Sequence, residues 1–213
     1  MKFNQIVPAL IVFAITFGGP SHAQAQAGPQ AVTAGQAADL TRIEGYLNGL
    51  TTAQANFTFV GPDGNPTRGI FYLSRPSKLR FEYTQPKGNL LIADGDYVIF
   101  WDAQQKEASN LPIGSTPLDF LLRPKISLTD GVRVTAFEHT AGVIRVTLTQ
   151  AQKDADGTVT VAFSDSPLEL RGWRLIDGQG QITDVSFSDW TFGATLDPGL
   201  FKFQDPNGGK RHR

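Results

Sequence analysis

Few side chains in this sequence could run a reaction, and their spacing explains most of them as turn chemistry. Asp94 with Asp96, and Asp154 with Asp156, set carboxylates two residues apart, from which an acid–base pair or a cation site could be built. Both pairs lie beside glycine. Asp94-Gly95 is a strong hairpin signal, and Asp154-Ala155-Asp156-Gly157 lacks the third acidic position and later Glu of a calcium loop. His139 is the only histidine in the body of the chain, since His22 falls in an N-terminal leader and His212 in the tail, so a two-histidine metal site is not available. Flanked by Glu138 and Thr140 at a strand end, it reads as a surface residue. Cysteine is absent, which removes a disulfide framework, a thiolate zinc site, a Cys nucleophile and a lipid-modified N-terminal Cys. No glycine-rich phosphate loop and no G-x-S-x-G occurs. The sequence therefore reads as a non-enzyme without metal or cofactor, and a hydrolase built on Asp or Glu is the weakest alternative.

Arg75 is unusual in the opposite sense. It follows Gly69-Ile70-Phe71-Tyr72-Leu73-Ser74, so in a continuous strand its side chain shares the side of Phe71 and Leu73. A guanidinium keeps its charge and offers five donors and no acceptor. At an apolar mouth it must find oxygens, and carbonyls at helix C-termini are natural partners. The residues alone leave a second reading open, in which Arg75 turns outward to solvent.

The elements that position these groups follow from composition and periodicity. The chain has 213 residues and a net charge of −1, enough for one well-cored domain and too neutral to be built for nucleic acid. Met1–Ala23 reads as a secretory signal, with Lys2, an apolar stretch at Ile6–Phe17, a break at Gly18-Gly19-Pro20 and small residues at Ser21 and Ala23. Cleavage is expected between Ala23 and Ala27, and residues 24–37, rich in Ala, Gln and Gly, form a flexible lead-in. The domain is expected over residues 38–207, with a basic tail at 208–213.

Leu40, Ile43, Leu47 and Leu50 fall on one stripe of a helix opening at Asp39 and ending near Gly49–Thr52. From Asn56 the texture changes to short strands separated by turns. Leu79-Arg80-Phe81-Glu82-Tyr83 is the clearest, with three apolar residues facing one way and two charges the other. Asn89–Ala93 and Tyr97–Trp101 flank the Asp94-Gly95 turn. Val132–Glu138, Val143–Thr149, Thr158–Phe163, Leu168–Ile176, Gln181–Trp190 and Leu200–Phe203 follow. A short helix is expected after Thr116-Pro117, with Leu118, Leu121 and Leu122 as its apolar face before Arg123-Pro124. The class is α+β, a mostly antiparallel sheet of about ten strands with helices at two points. Phenylalanine, at 15, far outnumbers Tyr at 4 and Trp at 3, which suits a purely apolar interior, either packed core or lipid cavity.

Four blocks in order resemble one family. Arg75-Pro76-Ser77-Lys78-Leu79-Arg80-Phe81-Glu82-Tyr83-Thr84-Gln85-Pro86 is similar to the signature R-P-x-x-[FL]-x-[FW]-x-[YM]-x-x-P of the LolA family of periplasmic outer-membrane lipoprotein carrier proteins. Leu91–Gly95 with Val98–Asp102, then Thr116–Leu122, and finally Leu168–Leu170, Trp173, Asp177, Gly180 and Asp197–Phe203 resemble its further blocks. The resemblance implies an incomplete antiparallel β-barrel of about ten to eleven strands, closed by lid helices over an apolar cavity for acyl chains. It implies that Arg75 latches the lid by donating to carbonyls of the two helices. Leu40, Ile43, Leu47, Leu118, Leu121 and Leu122 would then be lid contacts. Phe71, Leu73, Leu79, Phe81, Tyr83, Leu91, Val98 and Phe100 are the expected cavity residues. Periodicity does not choose between the face of Leu91, Val98 and Phe100 and the opposite face of Leu90, Ile92, Tyr97, Ile99 and Trp101; the resemblance favours the first. The implied partners are lipoproteins, an inner-membrane ABC-type lipoprotein-releasing complex and an outer-membrane acceptor lipoprotein, with this chain a periplasmic monomer that binds no nucleic acid. A further C-terminal strand that some members carry is missing. The competing reading is a periplasmic lipid- or peptide-binding sensor module on the same fold.

Overall fold

The computed structural model describes residues 33–116, 119–150 and 157–206. The expected signal segment, Pro117, Leu118, the Asp154/Asp156 pair and the basic tail lie outside these residues. Helix α1 spans Ala34–Gly49, beginning five residues before the expected Asp39 start and inside the expected lead-in. The reason is local. Thr33 and Gln36 form a reciprocal capping box, which satisfies two orphan N–H groups and nucleates the first turn. The stripe predicted for α1 is the buried one, with Leu40, Ile43, Leu47 and Leu50 all below 8% exposed. Each such side chain contributes about 1.5–3 kcal/mol on burial.

Eleven strands then form one antiparallel sheet: β1 (Thr52–Val60), β2 (Pro66–Ser74), β3 (Lys78–Gln85), β4 (Lys87–Asp94), β5 (Tyr97–Asp102), β6 (Glu107–Pro112), β7 (Val132–Thr140), β8 (Val143–Gln150), β9 (Gly157–Asp165), β10 (Leu168–Asp177) and β11 (Ile182–Phe192). Their order is β6-β5-β4-β3-β2-β1-β11-β10-β9-β8-β7, so β6 and β7 are free edges and the barrel is incomplete. Helix α2, described over Asp119–Leu122, lies between β6 and β7 in the chain. With α1 it covers the sheet's inner face, whose alternating side chains make the main core.

Two local features shape that face. At Gly69 a Cβ would stand 1.9 Å from the Glu82 carbonyl oxygen and 2.7 Å from the Phe57 ring. Only glycine lets the Phe57 ring pack edge-on to Phe81 and Tyr83, at 4.9 and 5.1 Å. In β10 a bulge between Leu170 and Gly172 shifts the register and bends the strand. The backbone groups it frees are met by side chains: the Leu170 N–H donates to the Tyr46 hydroxyl at 3.0 Å, and the Trp190 indole donates to the Leu170 carbonyl at 2.8 Å.

The structure corrects the expected strand at Leu200–Phe203. Pro198–Phe201 is a 3₁₀ turn, started by Asp197, whose carboxylate accepts from the Gly199 N–H. The turn packs on the outer face, where Phe201 is buried and Phe203 lies 6.0 Å from Trp101. Arg80 donates to the Leu200 carbonyl at 3.1 Å. Ile92 and Trp101, on the face opposite Leu91 and Val98, are buried beneath this cover. The sheet therefore has an apolar patch on both faces, and alternation alone could not rank them.

Candidate functional site

The inner face holds a hollow of about 210 Å³ between the sheet and the two helices. Leu47 of α1 and Phe120 and Leu121 of α2 form its cover. Its walls are Phe59, Phe81, Tyr83 and Leu91 on one side and Val159, Val161, Leu170, Trp173, Leu175, Thr183 and Val185 on the other. Among the described residues no charged side chain lines it. Thr183 and the phenol of Tyr83 are its polar side chains, and burial pushes the Tyr83 pKa up to about 12, so the hydroxyl is neutral at physiological pH. Apolar cavities of about 150 Å³ stay dry and take up benzene. A hollow larger than that, with this lining, is a site for hydrocarbon.

Among the residues expected to face the cavity, Phe81, Tyr83 and Leu91 line the hollow. Phe71, Leu73, Leu79 and Val98 are buried on the same face but packed solid, and Phe100 is half-buried against them. Among the lid residues, Leu47 and Leu121 touch the hollow, whereas Leu40, Ile43 and Leu122 are buried between helix and sheet. Leu118 lies outside the described residues. The wall from β9 to β11 was not singled out from the sequence, although Val159 and Val161 alternate with Thr158 and Thr160 and carried the signal.

Arg75 turns inward to the lid rather than out to water. One terminal nitrogen donates to the Leu47 carbonyl, in the last turn of α1. The other donates to the carbonyl of Arg123 at 2.7 Å and, at 3.5 Å, to that of Pro124, just beyond α2. The Leu47 carbonyl, which also accepts from the Leu50 N–H at 3.3 Å, lies at the negative end of α1, so a cation suits it. The structure meets the guanidinium with carbonyls, and burial draws its pKa below the ordinary arginine value. Its Nε is buried without a protein partner, a cost of about 1–3 kcal/mol against bonds worth about 1.5–3 kcal/mol each. The closed arrangement is stable but not deeply trapped.

α1 is knit to the segment that follows α2. Asn48 of α1 donates to the Ile126 carbonyl at 2.8 Å and accepts from its N–H at 2.9 Å. Glu44 accepts from the Leu128 N–H at 2.5 Å and the Ser127 hydroxyl at 3.3 Å. The Ser77 N–H, two residues after Arg75, donates to the Leu122 carbonyl at 2.9 Å. α1 and the chain around α2 thus form one cover, fixed to the sheet at the β2–β3 turn.

A second attachment went unread in the sequence. His139 at the end of β7 places Nδ1 2.9 Å from Asp39 of α1 and Nε2 3.1 Å from Asp165 of β9. Arg42 bridges the same two carboxylates, at 2.9 and 2.5 Å. An imidazole with a carboxylate at each nitrogen donates to both only when protonated. The hydrogen bond to Asp165, and then that to Asp39, raise the His139 pKa above its ordinary value. Asp94 and Asp96 do hold the expected turn, the Asp94 carboxylate accepting from the Asp96 and Tyr97 N–H groups. Among the described residues no group of acidic, histidine or cysteine side chains could hold a metal ion.

Residues 48–204 match the model of the family described as outer membrane lipoprotein carrier protein LolA. The outer-membrane lipoprotein carrier protein of Methylococcus capsulatus is 33% identical over 177 residues, covering 79% of this chain and 84% of its own length. That of Chromohalobacter salexigens is 28% identical over 205 residues, covering 91% and 90%. Among solved structures, a LolA superfamily protein from Nitrosomonas europaea aligns over 77% of this chain and 97% of its own, at 10% identity and a TM-score of 0.43.

Proposed function

The chain belongs to the LolA family of outer-membrane lipoprotein carriers, and on that premise we propose that it shields lipoprotein acyl chains in the hollow under α1 and α2 and that Arg75 is the latch of that cover. It is a periplasmic lipoprotein chaperone. The observation that carries the reading is the uncharged, aromatic-lined hollow whose cover is held by three carbonyl acceptors of a single guanidinium.

Magnitudes set how such a carrier works. Each buried CH₂ gains about 0.8 kcal/mol, so the chains of one lipoprotein gain on the order of tens of kcal/mol against water. A carrier that kept all of it would never release its cargo. The hollow, about 210 Å³, is small for the chains of one lipoprotein, so in this proposal the cover lifts as they enter. Lifting it breaks the Arg75 bonds and exposes Leu47 and Leu121, which offsets part of the gain. Release then runs towards a better apolar host without a reaction at this protein.

The carrier reading assigns the chain a holding role and asks no covalent step of its residues. An inner-membrane ABC-type complex would supply the cargo and an outer-membrane acceptor lipoprotein would take it. Among the described residues no helix is long and apolar enough to cross a membrane. Purification of a tagged chain from its own cells tests the reading. A diacylated or triacylated lipoprotein should accompany it, whereas a free lipid with no protein cargo would overturn the carrier role in favour of the sensor module.

A further inference from the structure

A second cavity adjoins the hollow. It is a cleft of about 550 Å³ that shares Phe120, Val159 and Leu175 with the hollow. Beyond these three side chains the wall changes character. Asp119 and Arg123 contribute from α2 and its end, Gln150 from the end of β8, and Asp177 and Gln179 from the β10–β11 turn. Arg123 holds Asp119 at 2.6 Å, and the Asp177 carboxylate accepts from the Gln179 and Gln181 N–H groups at 2.9 Å. The cleft is thus more polar than the hollow, and these contacts hold part of its polar lining in place. Elsewhere the hollow is lined by Phe59, Leu91 and Tyr83, whose hydroxyl is the single polar group of the three.

An acylated protein makes the same change along its own length. Its chains are hydrocarbon up to the ester carbonyls, and everything beyond them is glycerol and peptide. Buried ester and amide groups need hydrogen-bond partners, of which the hollow offers few beyond Thr183 and Tyr83 and the cleft more, from Gln150 and Gln179 among others. We propose that the cleft beyond Phe120 receives the ester-linked glycerol and the first peptide residues of an acylated cargo, so that the polypeptide leaves the carrier between α2 and the β10–β11 turn. The inference rests on the carrier reading and adds the direction in which the cargo lies. Phe120, Val159 and Leu175 mark the boundary between the lipid part and the peptide part. Such a site binds an acylated peptide better than the fatty acid alone.

The test uses the full chain and a synthetic diacylated lipopeptide biotinylated at its C-terminus. Displacement of a fluorescent fatty-acid probe first reports that the acyl chains occupy the hollow; no displacement overturns the carrier reading and the inference with it. A photoreactive residue is then placed at Gln179 or at the exposed Lys87, the first residue of β4. Biotin should be captured several-fold more at position 179. Equal or stronger capture at position 87, with the probe displaced, overturns the exit path while leaving the carrier reading intact. In a second arm, Gln150→Trp narrows the cleft and should lower the ratio of lipopeptide to fatty-acid affinity about tenfold. An unchanged ratio contradicts the proposal.

Discussion

At its C-terminal end α1 is held by Arg75, a cation at every accessible pH that donates to backbone carbonyls. Towards its N-terminal end the same helix is held by Asp39 and Arg42, whose partners Asp165 and His139 sit in solvent-facing positions on the rim of the sheet. The first attachment is half-buried, insensitive to pH and worth several charge-assisted hydrogen bonds. The second is exposed, screened by salt and dependent on one imidazole. In the proposed function the first attachment is the latch and the second a trim adjustment. A carrier whose surroundings vary in pH and ionic strength keeps its main closure in groups that neither affects.

The comparison ranks the expected effects. Arg75→Leu should act most strongly. Each lost bond is worth about 1.5–3 kcal/mol, or about ten- to a hundredfold in the balance between closed and open cover. The variant should fold and load but hold its cargo, so transfer to an acceptor should fall at least about tenfold; unchanged transfer would reduce Arg75 to a structural role. Asn48→Ala comes next. It leaves the Ile126 N–H and carbonyl without their side-chain partner and should cost about 1–3 kcal/mol, read as a lower denaturant midpoint. An unshifted midpoint would mean that the two helices are not one cover.

The smallest effect belongs to His139. Its folded pKa is raised above 6.5 by Asp165 and Asp39, so its contribution is complete below pH 6.5 and is lost as pH rises through the folded value. The facing charges are Asp39 and Arg42 from α1, Asp165 from β9, and the neighbouring Glu138–Arg145 pair across β7 and β8. Amide exchange in the first turns of α1 should quicken across that window, and His139→Gln should remove the dependence. An NMR titration placing His139 at or below 6.5 would contradict the double pairing.

The sequence carried much of this site, and the gaps have physical causes. The stripe of α1 was legible because one buried face repeats at the helical period, and β3 because its charges alternate with its aromatics. Its start was missed because Thr33 and Gln36 act as a cap whatever the neighbouring composition. β6 left no trace, since every residue of Glu107–Pro112 is exposed at a free edge and no alternation marks it. Leu200 to Phe203 alternates like a strand, but Asp197-Pro198-Gly199 bends the backbone before a ladder can form. The His139 cluster joins residues 39, 139 and 165, which only the tertiary fold brings together. Arg75 shares the strand parity of Phe71 and Leu73 in the sequence, and the reading of lid carbonyls over solvent as its partners came from the family resemblance.

The central claim, that the cover over the hollow moves when acyl chains enter, is open to direct measurement because the chain has no native Cys. Spin labels on cysteines introduced at Gly45, exposed on α1, and at Asn65, exposed in the β1–β2 turn, report the distance between cover and sheet. Saturation with a diacylated lipopeptide should shift the distribution to longer separations, and Arg75→Leu should shift it part of the way without ligand. Stoichiometric lipopeptide binding with an unchanged distribution would contradict the account.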